Sequence, residues 1–338
     1  MHPSAAVLVA SFVACSGAML LAVRLAHRVA KSNGVVTIVG PTGSGKSALA
    51  RLIHVASGRS GSLAEVSAGE LTSTLAQDQL FGHERGAYTG ALTRRHGVFA
   101  EANGGTVLLD DFHLLDRALQ PILLRVLDSG QYRPLGSDRE VPVSARLLVG
   151  SGEDLDRLVA QDRLLPDLRY RLGFQMIQLQ ALADRREDIG LLAERFLTEC
   201  ASADACADQV RFAPDVLPVL EVAPWPGNVR ELRAAIQFAY AAAVGVGERT
   251  IRGEHLPSHL QLDLTFDAQS DHATKKQLVS WALWRSGDHV GRAAQLIKAH
   301  RNTVATLRLE LTGERGRVPM HNAGTAVVQS DLAKATAS

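Results

Sequence analysis

One short segment combines glycines, a lysine and a serine at a spacing that suits phosphate chemistry. It fits the pattern G-x-x-x-x-G-K-[ST] and consists of Gly40, Pro41, Thr42, Gly43, Ser44, Gly45, Lys46 and Ser47. Its glycines let successive backbone N–H groups face a polyphosphate, Lys46 reaches the β and γ oxygens, and the Ser47 hydroxyl ligates Mg²⁺. The β-branched run 35–39 before it predicts a buried strand, and a helix is expected from Lys46. The segment therefore predicts a nucleotide-binding loop.

A pair of carboxylates follows a second apolar run. The run 104–109 predicts a buried strand, and Asp110 and Asp111 come directly after it. In open α/β sheets ligands bind beyond the carboxyl ends of the strands. Asp110 is thus the expected metal-side acid, and Asp111 is expected to orient or polarise the attacking water. The alternative for Asp111 is a carboxylate that caps the next turn.

Composition indicates an ordinary globular protein. The chain has 338 residues, 46% hydrophobic and 21% charged residues and a net charge of +1, so any contact with nucleic acid must come from a local patch. Three cysteines, Cys15, Cys200 and Cys206, have no metal-ligand spacing and suit a reducing cytoplasm as buried or spare thiols. The uncharged run 3–23 is interrupted by serines and a glycine and lacks a basic start, so we expect a core helix and no membrane contact.

Between the two phosphate-site elements lies Leu-Phe-Gly-His-Glu-Arg-Gly-Ala-Tyr-Thr-Gly-Ala, residues 80–91. It resembles the signature of the bacterial enhancer-binding proteins, the AAA+ activators of sigma-54 RNA polymerase, in which the loop reads G-A-F-T-G-A. The resemblance implies that this loop contacts sigma-54 through Gly86, Ala87, Tyr88, Thr89, Gly90 and Ala91. Only the aromatic residue differs, since Tyr88 replaces the family's Phe.

Further motifs fall in family order, among them Asp-Leu-Arg-Tyr-Arg-Leu at 167–172, Arg-Arg-Glu-Asp-Ile at 185–189 and Trp-Pro-Gly-Asn-Val-Arg-Glu-Leu at 225–232. The resemblance implies that Arg230, in the sensor II helix of the lid, reaches the γ-phosphate side of ATP. It also implies that Arg171 acts on the nucleotide of a neighbouring subunit. Self-association into a ring, expected to be a hexamer, would follow.

Helical patterns at 277–284 and 290–297, with a third helix from Arg301, give the order helix, turn, helix. This part is similar to the Fis-type helix-turn-helix domain, which implies binding to enhancer DNA. Expected contacts to phosphates or bases are His300, Arg301, Asn302, Thr303, Thr306 and Arg308. The third helix departs from the family at 305–307, where Ala-Thr-Leu replaces Tyr-Arg-Lys. A three-helix packing unit without DNA is therefore the alternative.

Four positions near the hydrolytic centre depart from the family pattern. Asp111 replaces Glu, and Ser67 stands where an Asn pairs with that Glu. Gly152 replaces the sensor I Asn, and Leu165 replaces the first of two interface arginines, for which Arg163 or Arg169 is a candidate substitute. The departures predict slow or partner-dependent hydrolysis.

The expected fold is α/β, an AAA+ P-loop NTPase core with a parallel sheet, a helical lid and a C-terminal all-α helix-turn-helix domain. The expected segments are the core at 8–182, the lid at 183–262, a linker at 263–273, the DNA-binding domain at 274–315 and a flexible tail at 316–338. The expected function is ATP-driven remodelling of the closed complex formed by the sigma-54 RNA polymerase holoenzyme. The rival is a hydrolysis-impaired regulator that serves as a structural subunit or inhibitor of an active paralogue. Because about 34 residues precede the first strand, no sensory domain is expected there, and the family then implies control by a separate regulatory protein or a paralogue.

Overall fold

A computed structural model of the chain describes residues 12–71, 76–204, 210–261, 269 and 271–314. Two compact units divide the chain between Gln261 and Leu262. The expectations for residues 3–11, for most of the linker, for Cys206 and for the tail lie outside the described residues.

The first unit alternates strands and helices. In chain order they are α1 (Gly17–Ala30), β1 (Val36–Val39), α2 (Lys46–Ser57), β2 (Leu63–Ser67), α3 (Ala76–Phe81), β3 (Gly82–His83), β4 (Arg95–His96), α4 (Val98–Glu101), β5 (Thr106–Asp110), α5 (Gln120–Ser129), β6 (Gln131–Tyr132), β7 (Val141–Pro142), β8 (Arg146–Ser151), α6 (Leu155–Ala160), α7 (Pro166–Leu172), β9 (Met176–Gln178), α8 (Glu187–Ala203), β10 (Arg211–Phe212), α9 (Val216–Val222), α10 (Asn228–Gly245) and β11 (Thr250–Ile251).

A parallel sheet of five strands, in the order β2-β5-β8-β1-β9, forms the centre of this unit. Every residue of β1 and β8 is buried, because helices cover both faces of a parallel sheet. The predicted strands before the glycine-rich loop and before the paired carboxylates are confirmed as β1 and β5. Since the strands are parallel, both segments reach the same edge of the sheet.

Side chains alternate between the two faces. In β5, Val107 and Leu109 pack into the larger core with α5, α6 and α7, whereas Leu108 packs with α1 and α2 on the opposite face. Helix α1 begins after Ser16, which accepts a hydrogen bond from the Met19 N–H, and it buries an alanine-rich stripe against this second core. The described part of the apolar N-terminal run is therefore a packing helix. Within the described ranges no helix is long and apolar enough to cross a membrane.

Helices α8, α9 and α10 form the lid, together with the short parallel pair β10 and β11. Trp225, which is 1% exposed, anchors the turn between α9 and α10, because its indole N–H donates to the Leu220 carbonyl at 2.7 Å. The predicted α/β core with a parallel sheet and a helical lid is confirmed.

The second unit consists of α11 (His272–Arg285), α12 (Val290–Leu296) and α13 (Arg301–Glu314). Its core contains Val279, Ala282, Ala293, Ile297 and Val304. The turn between α12 and α13 includes Lys298, with φ 52°. The three helices occur where their sequence patterns predict them.

A buried arginine joins α1 to the sheet. Arg146, at the start of β8, is 2% exposed and donates to the carbonyls of Val29, Ala30 and Gly34 at 2.7, 2.9 and 3.1 Å. Burial lowers the pKa of this guanidinium to about 10, so it stays charged at neutral pH. The cation thus satisfies carbonyls at the negative end of the α1 dipole.

Arg146→Met should destabilise the first unit by about 2–3 kcal/mol, because it leaves the buried Ala30 carbonyl and two part-buried carbonyls without this donor. The measurement is the midpoint of urea unfolding, followed by circular dichroism. Arg139→Met, at an exposed site, is the matched control and should unfold like the unaltered chain. Equal midpoints for the two variants would contradict this role of Arg146.

Candidate nucleotide-binding site

The loop 40–47 connects the end of β1 to the start of α2. Gly43 and Gly45 have φ values of 75° and 107°, a region that glycine enters at little cost. The Gly40 N–H donates to the Ser151 carbonyl of β8 at 3.0 Å. The loop therefore starts from a hydrogen bond to the strand beside it.

Lys46 is buried at the centre of the loop. Its ammonium donates to the carbonyls of Gly40 and Pro41 at 3.1 and 3.4 Å. Burial lowers the pKa of Lys46, the carboxylates of Asp110 and Asp111 raise it, and Arg230 lowers it again. The structure thus brings these predicted residues into one electrostatic neighbourhood around the loop.

The metal-side pair consists of Ser47, in α2, and Asp110, at the end of β5. The Ser47 hydroxyl donates to Asp110 Oδ2 at 2.9 Å, and Asp110 Oδ1 accepts the Asp111 N–H at 2.9 Å. Asp111 adopts φ 51°, in the left-handed region that aspartate enters more often than most residues other than glycine. Gly150 lies against the same carboxylate, since a Cβ there would come within 2.3 Å of Asp110 Oδ1. Sequence reasoning missed Gly150, and only the parallel register of β5 and β8 shows its role.

The donor set fits a nucleotide and its metal. A serine hydroxyl and a carboxylate oxygen in contact are the hard oxygen ligands that Mg²⁺ takes beside a nucleotide. Ser44 Oγ is buried and, among the described residues, has no hydrogen-bond partner. The ammonium of Lys46, the hydroxyls of Ser44 and Ser47 and the carboxylate of Asp110 thus belong to one site at the edge of the sheet.

The lid holds the backbone of the loop directly. Asn228 Nδ2 donates to the Thr42 carbonyl at 2.9 Å, and the Val229 N–H donates to the Gly43 carbonyl at 3.0 Å. Arg185, which is 2% exposed, donates to the Ser44 carbonyl. Three consecutive loop carbonyls are therefore bound by the lid.

The close approach of the lid to the loop explains why residue 43 is a glycine. A Cβ at Gly43 would lie 2.3 Å from the Gly227 carbonyl oxygen and 3.2 Å from Arg230 Cβ. Arg230, which is exposed near the start of α10, therefore lies beside the loop, and its contact with the γ-phosphate side stays a prediction. Arg185 and Asn228 were not predicted as site residues, although both occur in motifs that carry the resemblance.

Arg171 lies away from the loop of its own chain. It directly precedes Leu172, whose carbonyl accepts the Thr37 hydroxyl at 2.7 Å near the start of β1. The loop begins three residues further along, about 10 Å at the rise of a strand. The Arg171 guanidinium pairs with Asp128 at 2.6 Å.

The two candidate substitutes for the missing arginine are held within the chain. Arg169 makes two hydrogen bonds of 2.9 Å to Asp156, and Arg163 contacts Glu153 at 2.9 and 3.0 Å. Both side chains are thus paired with carboxylates of their own chain, as Arg171 is with Asp128.

The loop with the family signature lies between the antiparallel strands β3 and β4. It closes through hydrogen bonds from the Gly86 N–H to the Ala91 carbonyl, 2.8 Å, and from the Ala91 N–H to the Tyr88 carbonyl, 3.0 Å. Thr89 is exposed at its tip. The Tyr88 ring stands edge-on to the His83 ring, with 5.1 Å between centroids.

The predicted DNA contacts sit at the start of α13 in the second unit. His300, Arg301, Asn302 and Thr306 are exposed, and Thr303 is half-buried. Arg308 instead pairs with Asp288 in the turn before α12. Leu307 is 6% exposed in the core of this unit. Its burial explains why an apolar residue stands at position 307, where the family has a lysine.

Comparison with known proteins agrees with this architecture. Residues 12–178 match the Sigma-54 interaction domain, and residues 183–273 match the AAA+ ATPase lid domain. Transcriptional regulatory protein ZraR of Salmonella typhimurium is 33% identical over 305 residues, 89% of this chain and 69% of ZraR. Transcriptional regulatory protein GlrR of Escherichia coli is 39% identical over 232 residues, 68% of this chain and 52% of GlrR. The chain thus spans between about half and about two thirds of these relatives.

Two solved structures of NtrX from Brucella abortus have a similar fold. The complex with ADP gives a TM-score of 0.74 at 28% identity, and the complex with ATP gives 0.66 at 29%. Each comparison covers 89% of this chain and 69% of the NtrX chain. From the adjoining domain matches and the similarity to ZraR, the chain belongs to the sigma-54-dependent transcriptional regulators, in which a Sigma-54 interaction domain is followed by an AAA+ lid.

Proposed function

We propose that this chain is an ATP-driven activator of the sigma-54 RNA polymerase holoenzyme. The observation that carries the proposal is the convergence of Lys46, Ser47 and Asp110 at the sheet edge, in a chain whose Sigma-54 interaction domain also carries the exposed loop 86–91. Hydrolysis, ring assembly and enhancer binding are parts of this proposal. A purified ATPase assay with and without sigma-54 is its first test.

In the proposed site, backbone N–H groups of the loop and the Lys46 ammonium bind the polyphosphate of ATP. Ser47 and Asp110 would hold Mg²⁺, which when bound neutralises charge on the β and γ oxygens. Asp111 orients a water that attacks the γ-phosphorus, so that the bond to the β–γ bridging oxygen breaks and ADP and phosphate leave. Arg230 stabilises the γ-phosphate side from the lid.

Arg171 is proposed to complete the site of an adjacent subunit. Its side chain is exposed and pairs with Asp128, not with a residue of its own loop. In a ring, a partner's arginine would approach the γ-phosphate and neutralise charge that develops during transfer. Movement of the lid with the loop would then be passed to the tip at 86–91.

The second unit is proposed to bind enhancer DNA. Its α12, turn and α13 have the order of a helix-turn-helix, with exposed Arg301 and Asn302 at the start of the second of these helices. Because Ala305 and Leu307 contribute no polar groups, affinity should depend mainly on phosphate contacts and thus on salt.

Lys46→Ala should weaken ATP binding about 10- to 100-fold, since it removes a charged hydrogen-bond donor to the phosphates. Equilibrium titration with a fluorescent ATP analogue measures this loss. Lys31→Ala, an exposed lysine after α1, is the control and should bind like the unaltered chain. Equal affinity of the two variants would place the nucleotide elsewhere.

Arg171→Ala and Asp110→Ala should each abolish most ATPase activity, and mixing the two variants should restore part of it. At mixed interfaces the Asp110→Ala subunit contributes its Arg171 to the nucleotide site of an Arg171→Ala subunit, which has retained Asp110. Asp128→Ala breaks only the pair within the chain and should retain activity. If Asp128→Ala matches the loss in Arg171→Ala, or if mixtures give only the sum of their components, the action across subunits is wrong.

Thr89→Ala should retain ATPase activity but lose sigma-54 binding in a complex trapped with a transition-state analogue of ATP. The threonine is exposed at the tip and is far along the chain from the phosphate groups. Thr93→Ala, another exposed threonine outside the signature, should retain both. A parallel loss of ATPase activity and sigma-54 binding in Thr89→Ala would indicate a structural role for the tip.

A further inference from the structure

A histidine side chain fills the space beside Gly152, at the end of β8. The Gly152 N–H donates to His113 Nδ1 at 3.1 Å. A Cβ at residue 152 would lie 2.8 Å from His113 Cε1 and 3.2 Å from Nε2. The imidazole therefore occupies the position of the side chain that Gly152 lacks.

The imidazole lies just beyond the end of the strand that contacts the metal-side acid. Leu148 packs with α1 and α2, Gly150 follows at the two-residue period that returns side chains to one face, and Gly152 comes directly after the last residue of β8. Gly150 lies against Asp110, which accepts the Ser47 hydroxyl. The His113 ring thus stands about 7 Å beyond the Asp110 carboxylate along the strand direction.

This position is at the edge of the sheet where the loop begins. Ser151, the residue before Gly152, accepts the Gly40 N–H at 3.0 Å. Ligands of open α/β sheets bind beyond the carboxyl ends of the strands. A group beyond the end of β8, between β5 and β1, therefore faces the region of the terminal phosphate.

The backbone of His113 is held by Arg163, one of the two candidate substitutes for the missing interface arginine. Arg163 donates to the His113 carbonyl at 2.8 Å and to both carboxylate oxygens of Glu153 at 2.9 and 3.0 Å. Glu153 directly follows Gly152. The arginine thus joins the two segments that bring the imidazole and the glycine together.

The hydrogen bond also sets the tautomer. Because Nδ1 accepts from a backbone N–H, the proton of the neutral ring is on Nε2, which becomes a donor. Among the described residues Nε2 has no hydrogen-bond partner. A donor at this edge suits an anionic oxygen.

We propose that His113 binds the γ-phosphate of ATP through Nε2, in place of a polar side chain at residue 152. This inference rests on the proposed ATPase function and adds a phosphate-sensing residue to the same site. It also accounts for the departure at Gly152, since the imidazole occupies the space of the missing side chain.

The test compares affinity for a non-hydrolysable ATP analogue with affinity for ADP. His113→Ala should lower the preference for the analogue about tenfold, the value of one hydrogen bond to a charged group, and should leave ADP affinity unchanged. His113→Asn, which retains a donor, should recover part of the preference. His27→Ala, an exposed histidine of α1, is the matched control.

Moving the polar side chain from residue 113 to residue 152 tests whether the two side chains would occupy the same space. Gly152→Asn alone should lower the preference for the ATP analogue over ADP, because the new Cβ would clash with the imidazole. In the His113→Ala background the same change should restore it, so the two effects should be strongly non-additive. Unchanged ADP affinity in all variants verifies that the loop is intact.

Three outcomes distinguish a failure of the proposed role of His113 from a failure of the proposed function. An unchanged preference and turnover in His113→Ala would overturn the role of His113 and leave the proposed function standing. Equal loss of ADP and analogue binding would assign His113 a structural role and would also overturn the inference. If the unaltered chain shows no Lys46-dependent nucleotide binding, the proposed function fails, and the role of His113 fails with it.

Discussion

Backbone pairing of β8 with both β5 and β1 is the constraint on which the phosphate-side geometry depends. Leu148 is in register with Leu108 on one side and with Val36 on the other. This ladder places the end of β5, with its two aspartates, and the start of the loop on either side of a central strand. The glycines of β8 and its end then give room to Asp110 and to His113. A shift of one residue in either register would turn these groups to the opposite face.

A second constraint joins the lid, the loop and the segment before α1. Asp188, at the start of α8 and fully buried, accepts the N–H groups of Cys15 and Ser16 at 2.7 and 2.8 Å. Three residues earlier, Arg185 donates to the Ser44 carbonyl. Burial lowers the pKa of Arg185, and the Asp188 carboxylate opposes this effect. The charged pair thus connects the entry to α1 with the phosphate-binding loop.

The departures from the family pattern have different structural consequences. Ser67 is in register with Asp110 on the neighbouring strand, so the position expected for a switch partner is indeed adjacent to the acidic pair. Arg163 and Arg169 pair with carboxylates of their own chain, as the retained Arg171 does, so the replacement of the arginine absent at Leu165 by either of them stays a prediction. At Gly152 the lost side chain is matched by an imidazole from another segment. At Gly152, therefore, a side chain from another segment fills the space that the departure leaves.

The sequence by itself determined the order of elements, the loop 40–47 and the acidic pair, because each depends on residues close together in the chain. Continuous β-branched or apolar runs predicted β1 and β5, helical patterns predicted the C-terminal helices, and the ordered motifs indicated the family. The tertiary structure alone decided which distant residues meet. The lid donors on the loop carbonyls, the glycine beside Asp110 and the imidazole beside Gly152 depend on strand register and helix packing. No local pattern records such contacts, since they join segments separated by 39 to 186 positions.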